Sequence, residues 1–269
     1  YCPIQTVMIV AGLFCLLHIL LQRRILQLYV SGWIGYCQGK PKAGRLWNVT
    51  YEEKIVQTLN RYKRMQGDDP LLLITVTDGE KRRIGVLRPI TADFRTVIPE
   101  CAILLSRWRL QNPTLSPTRF TITAERTEKW LDSLVIGNPD RVLFLVQDSD
   151  GNCIGHMGFA GFDFDRKSAA VDLVVRGEQG GAPGLMGYAL HALIRWGKAE
   201  LGLRRIGLEV LWDNDHAIAF YMRCGFLRQG LIPLERQEVQ GETRWGVGCA
   251  EKAEKYYLHM DFPDERMRL

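Results

Sequence analysis

The spacing of apolar and polar positions changes repeatedly along this chain, and each change marks a segment. No charged side chain occurs from Tyr1 to Gln22, and positions 7–21 are almost continuously apolar before Arg23 and Arg24. An uncharged apolar span of roughly 18 residues followed by basic residues has the pattern of a membrane-crossing helix whose next domain stays in the cytoplasm. It equally describes a buried helix of an upstream domain, and Pro3, Gln5, Thr6 and His18 favour that second reading. Any membrane contact is confined to residues 4–21. A cleaved secretory signal does not fit, because no basic stretch precedes the apolar run. Gly32, Gly35, Gly39, Gly44 and Pro41 make 31–48 a linker. Thr50-Tyr-Glu-Glu53 then forms a capping box that opens a helix to about Met65. Ile55, Leu59 and Tyr62 give that helix one apolar stripe, and Gly67-Asp-Asp-Pro70 ends it. Residues 1–69 are thus read as a helical extension, ahead of a domain over 70–262 and a tail over 263–269.

Within 70–262 the period alternates between two and 3.6. Strands are expected over 71–77 and 84–89, with a turn at Asp78-Gly79. A helical region over 91–110 is interrupted near Pro99, and Thr123 caps a second helix that runs to Gly137. Two strands, 142–147 and 153–164, flank the turn Asp148-Ser-Asp-Gly-Asn152. A strand over 169–175, a long amphipathic helix over 185–201 and a strand over 205–211 follow. Asn214 caps a short helix, and two more strands lie at about 227–238 and 256–262. This order predicts an α/β (α+β) class: a mixed, mainly antiparallel central sheet with helices on both faces.

One junction carries candidate chemistry. The strand ending at Val175 runs into Gln179-Gly-Gly-Ala-Pro-Gly184, and the long helix starts at Leu185. Glycines permit the tight geometry, Pro183 suits a first helical turn, and the helix start attracts anions such as a pyrophosphate. After the next strand comes Asn214-Asp-His-Ala217-Ile-Ala-Phe220-Tyr221-Met-Arg-Cys-Gly225-Phe226. The loop and this second motif, in this order and separation, resemble the GNAT superfamily of acyl-CoA-dependent N-acetyltransferases. The resemblance spans about 84–262 and is carried by motifs within 171–226. Ala182 stands where that family usually has Gly, and Pro183 offers no N–H.

The resemblance implies acetyl-CoA as acyl donor. It places Gln179, Gly180, Gly181, Ala182, Gly184 and Leu185 at the pyrophosphate, and Val174 and Val175 at the pantetheine arm where two strands part. Asn214, Ala217 and Phe220 lie along the same arm, and Tyr221 is the general acid that protonates the leaving thiolate. Met186 faces the core. From the residues themselves, Asp172 and Glu209 on the central strands are candidate bases, because a carboxylate facing the sheet centre accepts a proton through water. Glu178 reads as an ion-paired surface group, and His156 is an alternative base or acceptor contact. Trp108 and Arg109 fall on a segment that walls the acceptor site in such folds. Arg109 suits a phosphate or carboxylate of the acceptor, or equally an internal pair with Glu100 or Glu125. The Trp108-Arg109 pair with the later Trp130 is loosely similar to the branch holding ribosomal-protein and nucleotide-linked amino-sugar acetyltransferases. A small-molecule amine, such as a nucleotide-linked amino sugar, is the expected acceptor. A protein N-terminus and a non-catalytic acyl-CoA-binding module are the rival readings.

Charge and cysteine content narrow the setting. Residues 22–65 carry nine Lys/Arg and two Glu, a local +7 against +5 for the whole chain. That segment suits phosphates, an anionic membrane face or plain solvation. It matches no nucleic-acid-binding motif, and no nucleic-acid partner is expected. The seven cysteines and five histidines are scattered, with no Cys-x-x-Cys. A disulfide framework or metal site is therefore not expected, and a reducing, cytoplasmic setting is.

Overall fold

A computed structural model of the chain describes residues 49–64, 66–118, 120–239 and 242–263. The apolar span, the linker, most of the basic segment and the chain beyond Pro263 lie outside the described residues. Among those described, no helix is long and apolar enough to cross a membrane. A compact unit begins at Val49.

Helix α1 (Tyr51–Arg64) opens with the expected reciprocal cap. The Glu53 N–H donates to Thr50 Oγ1 at 3.2 Å and the Thr50 N–H donates to Glu53 Oε2 at 2.9 Å. Its apolar stripe Ile55, Leu59 and Tyr62 is buried in the sheet core. This stripe shares one apolar core with the strands that follow it. The strand expected over 71–77 is shorter. Asp69 caps a 3-10 turn at Pro70–Leu72, and only Ile74–Thr77 (β1) is extended.

The remaining elements are β2 (Arg83–Pro89), α2 (Phe94–Val97), α3 (Cys101–Gln111), α4 (Ala124–Trp130) with a terminal π turn (Leu131–Ile136), β3 (Arg141–Asp148), β4 (Cys153–Asp163), β5 (Ser168–Arg176), α5 (Leu185–Ala199), β6 (Arg205–Leu211), α6 (Asp215–Arg223), β7 (Leu227–Val239), β8 (Glu242–Val247) and β9 (Lys255–Phe262). The strand β8 was not expected. The nine strands form one sheet in the order β1-β2-β3-β4-β5-β6-β9-β7-β8. Every neighbouring pair is antiparallel except β5 and β6, which run parallel.

Strand β3 shows why the sheet needs helices on both faces. Val142, Phe144 and Val146 point into one core with α1, α5 and α6, whereas Leu143 and Leu145 point into a second core with α2, α3 and α4. A strand buried on both faces reads as a continuous apolar run. The first core is closed by Trp196, whose ring meets Tyr62 and Phe144 edge-on at 4.9 and 5.2 Å. The second is filled by Trp108, Phe94 and Leu105. The mixed, mainly antiparallel sheet with helices on both faces is the architecture the sequence predicted.

Candidate active site

The parallel neighbours β5 and β6 are paired over only three residues, Ser168 with Arg205, Ala169 with Ile206 and Ala170 with Gly207. Beyond Ala170 no pairing continues, so the sheet opens between them. An opened seam leaves backbone N–H and C=O groups without strand partners, and such groups seek a ligand or water.

A bulge lies at the opening. Gly158 faces Asp172 and His156 faces Val175, so Leu173 and Val174 together oppose the single residue Met157. Leu173 takes a left-handed conformation, φ +52°. A side chain there costs about 1–3 kcal/mol, which its surroundings must offset. The Leu173 carbonyl accepts a hydrogen bond from His156 Nδ1 at 2.7 Å. Burial pushes the His156 imidazole down to about 4, with the bond to Leu173 opposing. The ring is therefore neutral at physiological pH, and the Nδ1 facing the carbonyl carries the proton.

At the end of β5 the loop 177–184 turns into α5. Gly180, Gly181 and Gly184 have φ of +129°, +67° and +79°. A Cβ on Gly181 would stand 2.6 Å from Leu185 Cδ2. Among the described residues, the N–H groups of Gln179, Gly180, Gly181, Ala182 and Gly184 donate to no protein acceptor. Leu185 and Met186 are buried and anchor the first turn of α5. Free amides at a helix N-terminus make a cradle for a pyrophosphate. The loop is tied to α3 through Glu178, whose Oε1 accepts from Trp108 Nε1 at 2.8 Å and from Arg107. This contact holds the Glu178 carboxyl below its usual range, chiefly through the Trp108 bond. Gly177 lies close against the Trp108 ring, which a Cβ would strike at 2.1 Å.

Titratable groups gather across the opening. Asp172 and Glu209 occupy the same face of neighbouring strands, each two residues beyond the last pair, Ala170 and Gly207. Burial raises the Asp172 carboxyl, and the Arg141 guanidinium opposes the rise. Arg141 Nε stands 2.9 Å from Asp172 Oδ2, but both atoms lack a well-aligned hydrogen bond, so the contact is one of charge. Tyr221 on α6 is buried and its phenol is raised far above the ordinary value, first by burial, then by Asp172 and Cys224. Tyr257 on β9 is raised by burial and by Glu209, with Arg109 lowering it and Asp172 raising it. Asp172 thus acts on both tyrosines, and Glu209 and Arg109 act on Tyr257. Beside them His259 Nε2 lies 3.2 Å from Asp261 Oδ1.

Helix α6 is set by Asn214, whose Oδ1 accepts from the Ala217 N–H at 3.2 Å. Ala217 and Phe220 are half-buried, and the Phe220 and Tyr221 rings meet edge-on at 5.3 Å. Asn214 also borders a cavity of about 570 Å³ with Pro117, Leu211, Asp213, Arg236 and Trp245 in its walls.

The other expected residues lie as follows. Trp108 and His156 were expected at an acceptor, yet Trp108 is 0% exposed and His156 is buried beside it, their rings 5.9 Å apart. They hold backbone: Trp108 the loop, His156 the bulge. The Val175 side chain is buried in the second core and Val174 is half-buried on the bulge, so what either offers the opening is main chain. Arg109 Nη1 and Nη2 donate to the carbonyls of Asn112 and Thr118, at 3.1 and 3.3 Å, which shapes the turn after α3. Tyr257 and Arg141 were missed. Tyr256 and Tyr257 are adjacent, so they face opposite sides of β9, and only the register pairing Tyr257 with Leu211 tells which faces the opening. No group of His, Cys, Asp and Glu among the described residues is arranged to hold a metal.

A family model described as an acetyltransferase (GNAT) domain matches residues 84–227, more than half of the chain. The chain belongs to this GNAT acetyltransferase family. A probable acetyltransferase (GNAT family) from Chromobacterium violaceum ATCC 12472 is similar in structure at 17% identity, over 83% of this chain and 95% of that one, with a TM-score of 0.52. A spermidine N-acetyltransferase mutant from Vibrio cholerae is similar at 18% identity, over 65% of this chain and 91% of that one, with a TM-score of 0.46. No curated protein sequence matches the chain. The GNAT family uses acetyl-CoA.

Proposed function

We propose that the protein transfers an acetyl group from acetyl-CoA to a primary amine of a small molecule, by direct attack of the amine on the thioester carbonyl. One observation carries this reading: the β5–β6 opening has a free-amide glycine loop at one end and Asp172 just past its last pair, and Asp172 acts on the buried Tyr221 of α6. The amine nitrogen forms the new C–N bond as the C–S bond breaks. Tyr221, kept protonated by burial, gives its proton to the departing thiolate and takes back the second proton that the nitrogen sheds as the amide forms. Asp172, whose raised carboxyl sits on the opening, takes the ammonium proton, directly or through water. Glu209, exposed on the next strand, attracts the cationic amine from the solvent side.

The test is calorimetric titration of the full chain with acetyl-CoA, beside dephospho-CoA, desulfo-CoA and ATP. Micromolar binding of acetyl-CoA is expected, weakened at least about tenfold by Gly184→Glu, which puts a carboxylate where an anion belongs and a side chain at φ +79°. A folded protein that binds none of the four would remove the acetyltransferase reading.

A further inference from the structure

The β5 bulge needs something to hold it. Strand β4 supplies one residue, Met157, where β5 supplies two, Leu173 and Val174. A bulge leaves its extra residue off the ladder, so the carbonyl there loses its usual partner. The structure gives that carbonyl a side-chain donor from the neighbouring strand, His156 Nδ1 at 2.7 Å. The imidazole has little freedom to leave. It is buried, and the fully buried Trp108 ring lies alongside it at 5.9 Å. Trp108 is itself fixed by its bond to Glu178 and by the bare backbone of Gly177. A chain of contacts therefore runs from the glycine loop through Glu178, Trp108 and His156 to the Leu173 carbonyl, and the next residue along, Asp172, is the carboxylate of the opening.

We propose that His156 is a positioning residue for acyl transfer: its Nδ1–H, bonded to the Leu173 carbonyl, holds Leu173 in its left-handed conformation and so presents the main chain at Leu173–Val174 to the thioester carbonyl of the acyl donor. This rests on the acetyl-CoA reading above. The role differs from the acceptor contact expected from the sequence, since the ring is walled off and acts only through the backbone it holds. A neutral imidazole of fixed tautomer suits the task, because a carbonyl acceptor requires the proton on the nitrogen that faces it.

The role separates from mere packing by ligand discrimination. Acetyl-CoA and CoA differ only in the acetyl group, so the ratio of their affinities reads the bulge directly. The full-length wild type, His156→Asn, His156→Leu and the double variant His156→Leu/Leu173→Gly are titrated with each ligand by calorimetry. Carbon NMR of acetyl-CoA labelled at the carbonyl supplies a spectroscopic reading of the same contact. Wild type is expected to prefer acetyl-CoA and to shift the carbonyl signal. His156→Asn, whose amide nitrogen replaces Nδ1, keeps both effects. His156→Leu retains bulk but no donor and loses about three- to tenfold in acetyl-CoA affinity, with CoA affinity held within about twofold. Leu173→Gly in that background restores the preference, because glycine adopts the left-handed φ without help.

An unchanged preference in His156→Leu, or equal weakening of both ligands, overturns the proposal, as does a double variant that folds without regaining the preference. If His156→Leu does not fold, His156→Asn and the double variant decide by the same criterion. Wild type that binds both ligands equally overturns this proposal while leaving the acetyl-CoA reading intact. Wild type that binds neither removes both.

Discussion

Tyr221 is one turn of helix from being an ordinary packing residue. Its ring meets Phe220 and Phe226 edge-on, at 5.3 and 5.9 Å, as a core aromatic would. What distinguishes it is the field at its hydroxyl: burial and the nearby Asp172 both oppose ionisation. A phenol held protonated enters the reaction as an acid and not as a base. Tyr221→Phe preserves the ring contacts and removes only the proton. In steady-state assays it is expected to lower kcat by about 10²- to 10⁴-fold with KM little changed, the signature of a lost transition-state contact. A non-catalytic acyl-CoA-binding module would bind acetyl-CoA equally well with either residue and turn over with neither. Lys63 makes a second prediction at this scale. It is 1% exposed, its Nζ donates to the Asn138 carbonyl at 2.6 Å, and burial pushes its ammonium down to about 8. The unfolded chain then binds more protons than the folded one between about pH 8 and 10.4, so stability rises with pH across that window. Below pH 8 the cost of the buried charge is present in full, roughly 3 kcal/mol for a shift of this size. Lys63→Met abolishes that gain: comparison of urea midpoints at pH 7 and pH 10 should show the wild type gaining on the variant as pH rises.

At the scale of elements, α3 and the glycine loop form one unit although they are about 70 residues apart in sequence. Glu178 joins them through Trp108 and Arg107, and Gly177 lets the backbone lie on the indole. The pair Arg107–Glu178 is half-exposed and contributes little by itself. The indole bond is part-buried, the Trp108 ring is fully buried, and together with the close approach of Gly177 they carry the junction. Gly177→Ala places a methyl 2.1 Å from a fully buried ring that has no room to retreat. It is expected to cost about 1–3 kcal/mol by overpacking. Acetyl-CoA affinity should fall with it, since the displaced residues lead directly into the cradle. Thermal melts of the free protein together with titrations test both effects. A variant as stable and as tight-binding as the wild type would show that the loop is positioned by α5 alone.

At the scale of the molecule, the sheet is two sheets joined by a short seam. Strands β1 to β5 and strands β6 to β9 are each antiparallel, and only three residue pairs join the two halves. A ligand lying in the opening touches both halves. Binding to the folded state alone adds about 2.7 kcal/mol at a ligand concentration 100 times Kd. For acetyl-CoA this stabilisation should appear as a raised melting temperature, and amide exchange should slow along both β5 and β6 past Ala170 and Gly207. Protection confined to the loop 179–184 would mean that the nucleotide end binds without closing the seam.

Much of this was legible in the sequence because it is local. The cap of α1, the Asn214 cap, the left-handed glycines and the proline before α5 each depend on residues within a few positions of one another. The order of elements and the central strands followed from period, whereas the resemblance that led to Tyr221 rested on the two motifs within 171–226. What only the tertiary structure decided depends on partners distant in the chain. Alternation says that a strand has two faces, but not which strand pairs with it or at which register. The bulge at Leu173–Val174 and the inward turn of Tyr257 were therefore invisible, and so was the exposure that separates Glu209 from Asp172. The same holds for α1: its stripe predicted that one face is buried, and only the assembled core showed that the surface burying it is this sheet. Trp108 and His156 were legible as candidates by residue type, but type does not carry depth. Burial is a property of the whole fold, and only the assembled structure shows that both rings lie inside it.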